Sequence, residues 1–177
     1  LSYVLKNLEF EIKNHKLILA KGNFRNLDEI ARLNNFNKVG GIIFDLGVSS
    51  YQLENGKRGF SFLQGGPLDM RMDKDLGVKA GDLLNILSKG ELYEIFIKLG
   101  EEHYSRAISD GIIFARRVAP IRTTGDLSGI IQKALGIKGE ITDFTRARIS
   151  KRVFQALRIV VNDELENLRA ALPKALD

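Results

Sequence analysis

Gly41-Ile42-Ile43-Phe44-Asp45-Leu46-Gly47-Val48-Ser49-Ser50 passes from an apolar run straight into an acid, a glycine and two hydroxyls. A run this short, uncharged and closed by turn-forming residues, predicts a strand buried on both faces. Upstream, Lys16-Leu17-Ile18-Leu19-Ala20 has the same form and ends at Gly22 and Asn23. Between the two, Asn26 opens a short helix with Asp28 and Glu29 in its first turn, where acids meet the positive end of the helix dipole. Leu27, Ile30, Ala31 and Leu33 form its apolar face, and Ser2 caps an earlier helix carrying Val4, Leu5, Leu8 and Ile12. Helix–strand–helix–strand with all-apolar strands predicts a parallel sheet covered on both faces.

Periodicity is lost from Gln52 to Gly77, where Gly, Arg and Asp are frequent. That is long for a connection in a compact domain and reads as a functional loop. Helical spacing then takes over. Ser88 with Glu91 forms a capping box for a helix running to Leu99, with Gly100 as its stop. Tyr104 to Arg117 is the next helix, closed by Pro120; Thr124 caps another, ending at Gly136. Val153, Leu157, Val161, Leu165, Leu168 and Leu172 mark long helices at the end. The organisation read from this is an α/β core over 1–74, a helical insert over 75–148, and helices over 149–177 returning to the core.

The 177 residues carry 27 Lys+Arg against 22 Asp+Glu, a net charge of +5, which suits nucleic acid without requiring it. No apolar stretch approaches the roughly 18–20 residues of a membrane span. Cysteine is absent, which removes disulfides, thiolate metal sites and cysteine nucleophiles together and fits a cytoplasmic protein. His15 and His103 are the only histidines, too few for a histidine metal cluster, so no metal is expected. The chain opens at Leu1 without Met, and Ser2 to Phe10 already reads as mid-element, so it reads as a piece of a longer protein.

Asp45 carries the most chemical information. In an open parallel sheet, ligands gather beyond the carboxyl ends of the strands, and the run before Asp45 places it there. The bland alternative is a plain strand terminus. Phe24, in the Gly22-Asn23-Phe24 turn, holds the equivalent place after the other strand and can lie against a planar ring, or simply be core. In the loop, Arg58 and Arg71 stand among Phe60, Phe62, Met70 and Met72; aromatic faces with Arg suit unstacked bases and phosphate. The competing account bridges Arg71 to Asp69 or Asp73 and puts the apolar side chains in local core. Lys138, Arg146, Arg148, Lys151, Arg152 and Arg158 face only Glu140 and Asp143, a basic segment able to follow a phosphate backbone.

Four motifs in order carry a resemblance: Asp45-Leu46-Gly47-Val48-Ser49-Ser50-x-Gln52; Arg58-Gly59-Phe60-Ser61-Phe62; Gly66-Pro67-Leu68-Asp69-Met70-Arg71-Met72-Asp73; and Phe154-Gln155-Ala156-Leu157-Arg158-Ile159 with Val161-Asn162-Asp163-Glu164-Leu165. The sequence resembles the bacterial RsmH (formerly MraW) family of S-adenosylmethionine-dependent methyltransferases, which act on the N4 amine of a cytidine in 16S ribosomal RNA. The resemblance implies a Rossmann-like class I methyltransferase core, here incomplete, with an inserted all-helical substrate-recognition domain. It implies that Phe24, Asp45 and Gln52 contact S-adenosylmethionine, that Asp45 is the catalytic candidate, and that the small ribosomal subunit is the partner. Candidate RNA contacts are Arg58, Arg71, Arg146, Arg148, Lys151 and Arg152. The departures are a missing glycine-rich turn and ribose-binding acid, missing closing strands, Tyr51 in place of proline, and Ile149-Ser150-Lys151 in place of Pro-Ala-Thr.

Unpaired buried backbone is costly. With the intervening strands absent, the two apolar runs are expected to pair directly, to pair with another copy in a homodimer, or to sit in a damaged core. The chain alone is then expected to be inactive and to bind S-adenosylmethionine weakly or not at all. The competing readings are a non-catalytic RNA-binding α/β module or an inactive methyltransferase fragment. A nucleotide-binding dehydrogenase lacks its fingerprint glycines.

Overall fold

The structure, a computed structural model, describes residues 17–135 and 143–176, with side chains of the second segment described from Ala147 onward. The helix expected from Ser2, together with His15, Lys16, Gly136, Lys138 and Glu140, lies outside the described residues. Helices in chain order are α1 Leu27–Leu33, α2 Ser50–Glu54, α3 Ala80–Ile86, α4 Lys89–Gly100, α5 Ser105–Val118, α6 Thr124–Ala134, α7 Asp143–Val161 and α8 Glu164–Leu176. The chain divides into two compact units, Leu1–Asp45 with Leu165–Asp177, and Leu46–Glu164.

In the first unit a 3-10 turn over Phe24–Asn26 leads into α1. The Asn23 side chain accepts the Arg25 amide at its start. Lys174 of α8 closes on this turn, donating to the Asp28 carboxylate at 2.8 Å and to the Arg25 carbonyl at 2.8 Å. The expected helix is thus present. The expected strands are not: neither Leu17–Ala20 nor 41–46 forms a ladder among the described residues, which contain no sheet. A strand exists through hydrogen bonds to a neighbouring strand, and no described segment supplies one. Apolar runs meant for burial are left open, with Ile43 95% exposed. Direct pairing of the two runs is therefore corrected.

The second unit is built on i,i+4 apolar pairs, one from each of four helices. Leu92 and Phe96 of α4, Ile108 and Ile112 of α5, Leu127 and Ile131 of α6, and Val153 and Leu157 of α7 are all buried in one cluster. That spacing puts each pair on one helix face, and each such side chain contributes about 1.5–3 kcal/mol on burial. The Ser88–Glu91 capping box forms as expected. Gly100 does not stop α4. It is the last helical residue, and Glu101 takes the left-handed conformation with φ 50°. Gly100 is needed for close approach instead: a Cβ there would lie 2.8 Å from the Arg152 carbonyl oxygen of α7.

The α6 cap also shifts by one residue. Thr123 accepts the Asp126 amide, while Thr124 is buried and ties the loop below it. Its hydroxyl donates to the Gln64 carbonyl at 2.8 Å and accepts from the Gly66 amide at 3.1 Å. The stretch 52–77 is accordingly a pinned segment. It contains a 3-10 turn over Gly56–Arg58 and an antiparallel bridge between Pro67 and Thr123, and the amides of Met70 and Ala80 donate hydrogen bonds to the carbonyls of Arg58 and Asp69. Phe60, Leu68 and Met70 are buried in the helical cluster. Asn162, at the far end of α7, staples the same segment. Its Oδ1 accepts the Met72 amide at 2.6 Å, and its Nδ2 donates to the Met70 carbonyl at 2.8 Å and the Arg158 carbonyl at 2.9 Å.

Candidate functional site

In the first unit, the ring of Phe24 meets the ring of Phe44 edge-on, with centroids 6.0 Å apart and planes at 74°. Aromatic pairs favour this arrangement because the positive ring edge faces the negative ring face. Phe44 directly precedes Asp45, so the contact brings the turn after the first apolar run to the end of the second. Asp45 itself is exposed and makes no hydrogen bond among the described residues. A half-buried aromatic surface next to an uncommitted carboxylate suits a planar heterocycle carrying hydrogen-bond donors.

Gln52 belongs to the second unit and has a structural task there. Ser49 caps α2 through the Gln52 amide, and the Gln52 Oε1 accepts the Ser49 amide at 2.9 Å. This reciprocal box is encoded locally by Ser and Gln three residues apart. It leaves the Gln52 side-chain Nε2 as the donor that can turn to a ligand.

The two loop arginines are held by backbone and acid. Arg58 donates to the Arg71 carbonyl at 2.7 Å and the Met72 carbonyl at 3.1 Å, with its guanidinium 5.7 Å from the centre of the Phe60 ring. Arg71 grips Asp69 through Nε at 2.7 Å and Nη2 at 2.9 Å, and its Nη1 donates to the carbonyls of Lys74 and Leu76. This is the bridge offered as the competing account of Arg71. A bidentate guanidinium–carboxylate pair is rigid and charge-assisted.

The Arg71 guanidinium holds the Asp69 carboxyl below its ordinary value of 3.8, with burial opposing and the Arg71 amide assisting. A carboxyl depressed in the folded state stabilises the fold above its unfolded pKa and loses that contribution as pH falls through the folded value. Acid titration of unfolding is therefore expected to steepen below about pH 4, the unfolded value. Asp69→Asn should flatten that part of the profile while leaving its slope at neutral pH unchanged. An unaltered acid limb would show that the pair does not stabilise the fold.

On α7, Arg148, Lys151 and Gln155 are exposed and Arg152 is half-buried. Positions 148, 151, 152 and 155 fall on one side of a helix, opposite the buried Val153 and Leu157. The Arg146 side chain lies outside the described residues. Arg158 is bound in both directions by Glu164, through Nε at 2.7 Å and Nη2 at 3.0 Å, and is committed to that pair. Gln155 stands in the Phe154–Ile159 motif but carries no charge, and the helical period of the basic residues places it on their face. Among the described residues no cluster of three or more His, Asp or Glu could hold a metal, and no helix is long and apolar enough to cross a membrane.

Comparison with known proteins follows the same residues. A family model described as the MraW methylase family matches residues 4–177. The ribosomal RNA small subunit methyltransferase H of Clostridium botulinum is 40% identical over 174 residues, covering 98% of this chain and 55% of that protein. Its namesake in Desulfosudis oleivorans is 41% identical over 162 residues, covering 92% and 51%. That of Coprothermobacter proteolyticus is 40% identical over 156 residues, covering 88% and 50%. The chain spans about half the length of the curated relatives it matches.

Proposed function

The chain belongs to the MraW methylase family, and from that premise we propose that the whole protein methylates the N4 amine of a cytidine in 16S rRNA, in the cytoplasm, with S-adenosylmethionine as methyl donor. The observation that carries the reading is the family match over residues 4–177. The family brings with it a class I methyltransferase fold. We assign 1–74 and 149–177 to its core and 75–148 to an inserted helical domain that meets the small ribosomal subunit.

The residues fit the cofactor by their chemistry. Phe24, half-buried against Phe44, offers aromatic surface to an adenine, and Asp45 and Gln52 offer an acceptor and a donor. S-adenosylmethionine, when bound, supplies an electrophilic methyl on a sulfonium sulfur. The nucleophile's difficulty is that its amine lone pair is delocalised into the cytosine ring. Asp45 answers it by accepting an N–H of the amine, which orients the lone pair, and by taking the proton as the amine gains its methyl. On α7, Arg148, Lys151 and Arg152 run along the phosphates. Arg58 and Arg71 shape the loop that approaches the RNA rather than contacting it.

The test is transfer of a labelled methyl to small ribosomal subunits, with the product nucleoside mapped by mass spectrometry. The whole protein is expected to label one cytidine at N4; label on another atom or another RNA would overturn the reading. The 177-residue chain, assayed alongside, is expected to transfer nothing and to bind S-adenosylmethionine weakly or not at all by calorimetry. Tight binding would refute that part.

A further inference from the structure

A hollow lies wholly within the Leu46–Glu164 unit, between the Val48–Leu53 turn and α7, with a volume of about 220 Å³. That is below the roughly 300–1,000 Å³ of clefts that take drug-sized ligands, and it suits one planar ring. Its wall is an aromatic corner: Phe62 and Phe154 meet edge-on with centroids 5.8 Å apart and planes at 76°. Its rim is polar and comes from α7. Lys151 and Gln155, one helical turn apart, both line it and both are exposed, and neither side chain makes a hydrogen bond among the described residues. Arg158, pinned by Glu164, closes the end.

We infer that this hollow is a subsite for one unstacked base of single-stranded RNA. The inference rests on the RNA-methyltransferase reading and deepens it. Phe62 and Phe154 give the base a dry aromatic wall, as single-strand readers do. The Gln155 amide has both a donor and an acceptor, the combination that reads a base edge. Lys151 meets the adjoining phosphate, and Arg148 one turn earlier extends the track. A free anion would use the cation and leave the aromatic corner empty. A lipid or apolar ligand would leave the amide and the ammonium unused.

The chain is titrated, by fluorescence anisotropy, into fluorescein-labelled single-stranded RNA heptamers and into the same heptamers carrying one abasic ribose at successive positions. Loss of the base at one position is expected to weaken binding about tenfold, other positions much less. Gln155→Ala and Phe62→Leu should each remove that positional penalty. Gln155 is exposed and Phe62→Leu keeps an apolar side chain, so both variants are expected to fold, checked by circular dichroism. S-adenosylhomocysteine should leave the complex intact. Binding of intact and abasic RNA with equal affinity overturns the subsite, as does displacement of RNA from this pocket by S-adenosylhomocysteine, which would make it a cofactor site. Absence of any RNA binding also overturns it. The methyltransferase reading falls only in the transfer assay.

Discussion

Asp45→Ala in the whole protein is expected to abolish methyl transfer, lowering kcat by about 10²–10⁴-fold, the range contributed by a positioned proton acceptor. The carboxylate is exposed and makes no hydrogen bond among the described residues, so its removal should leave thermal stability unchanged. That separates a chemical loss from an unfolded enzyme. The effect should also divide in an informative way. A residue that only contacts the cofactor shifts the Kd for S-adenosylmethionine and is rescued by excess cofactor. A residue that orients the amine depresses kcat at saturation. Asp45→Asn keeps an acceptor oxygen but cannot take a proton, and should recover orientation without full turnover. Near-normal turnover of the alanine variant would remove Asp45 from the site.

Gly59→Ala is expected to destabilise the chain by about 3 kcal/mol, lowering the midpoint of thermal unfolding by about 6–12 °C. Gly59 ends the 3-10 turn at φ 71°, a conformation that already penalises a side chain. The new Cβ would also overlap the Pro67 carbonyl oxygen and lie 2.8 Å from the Asp69 amide. Both obstacles are backbone, held in turn by the bridge to Thr123 and the pair with Arg71, so neither can yield. Gly65→Ala is the control within the same loop, because nothing lies within 4 Å of its Cβ position. Equal effects at 59 and 65 would mean that this stretch is not pinned as the structure has it.

The helices were legible because their signals are local. Ser88 with Glu91, and the acids at the start of α1, announce element starts within four residues of chain. The i,i+4 pairs from Leu92 to Leu157 likewise name the core of the helical unit. Strands differ in kind. The apolar runs at 17–20 and 41–46 read as strands, yet what makes a strand is a partner elsewhere, which their own residues cannot reveal. In the loop the Arg71 bridge was legible because Asp69 lies two residues off, whereas the carbonyls 13 and 14 residues away that hold Arg58 were not. Gly100 reads as a helix stop from its neighbours, and its close approach to Arg152 comes from packing between helices. At the site, position just after an apolar run drew attention to Phe24 and Asp45, while the Phe24–Phe44 contact that brings their turns together is tertiary.

The Asn162 amide has a topological consequence. It reaches back 92 residues to Met70 and 90 to Met72, so the chain departs and returns at a single point. Closing so long a loop costs about 4 kcal/mol of chain entropy, more than the two hydrogen bonds that span it, at about 1 kcal/mol each, offset. The rest of that cost is met by the apolar packing of the helices that the loop encloses. Phe60, Leu68 and Met70 before that point and the helices beyond it share one buried cluster, so the tie clasps two parts of a single packing unit.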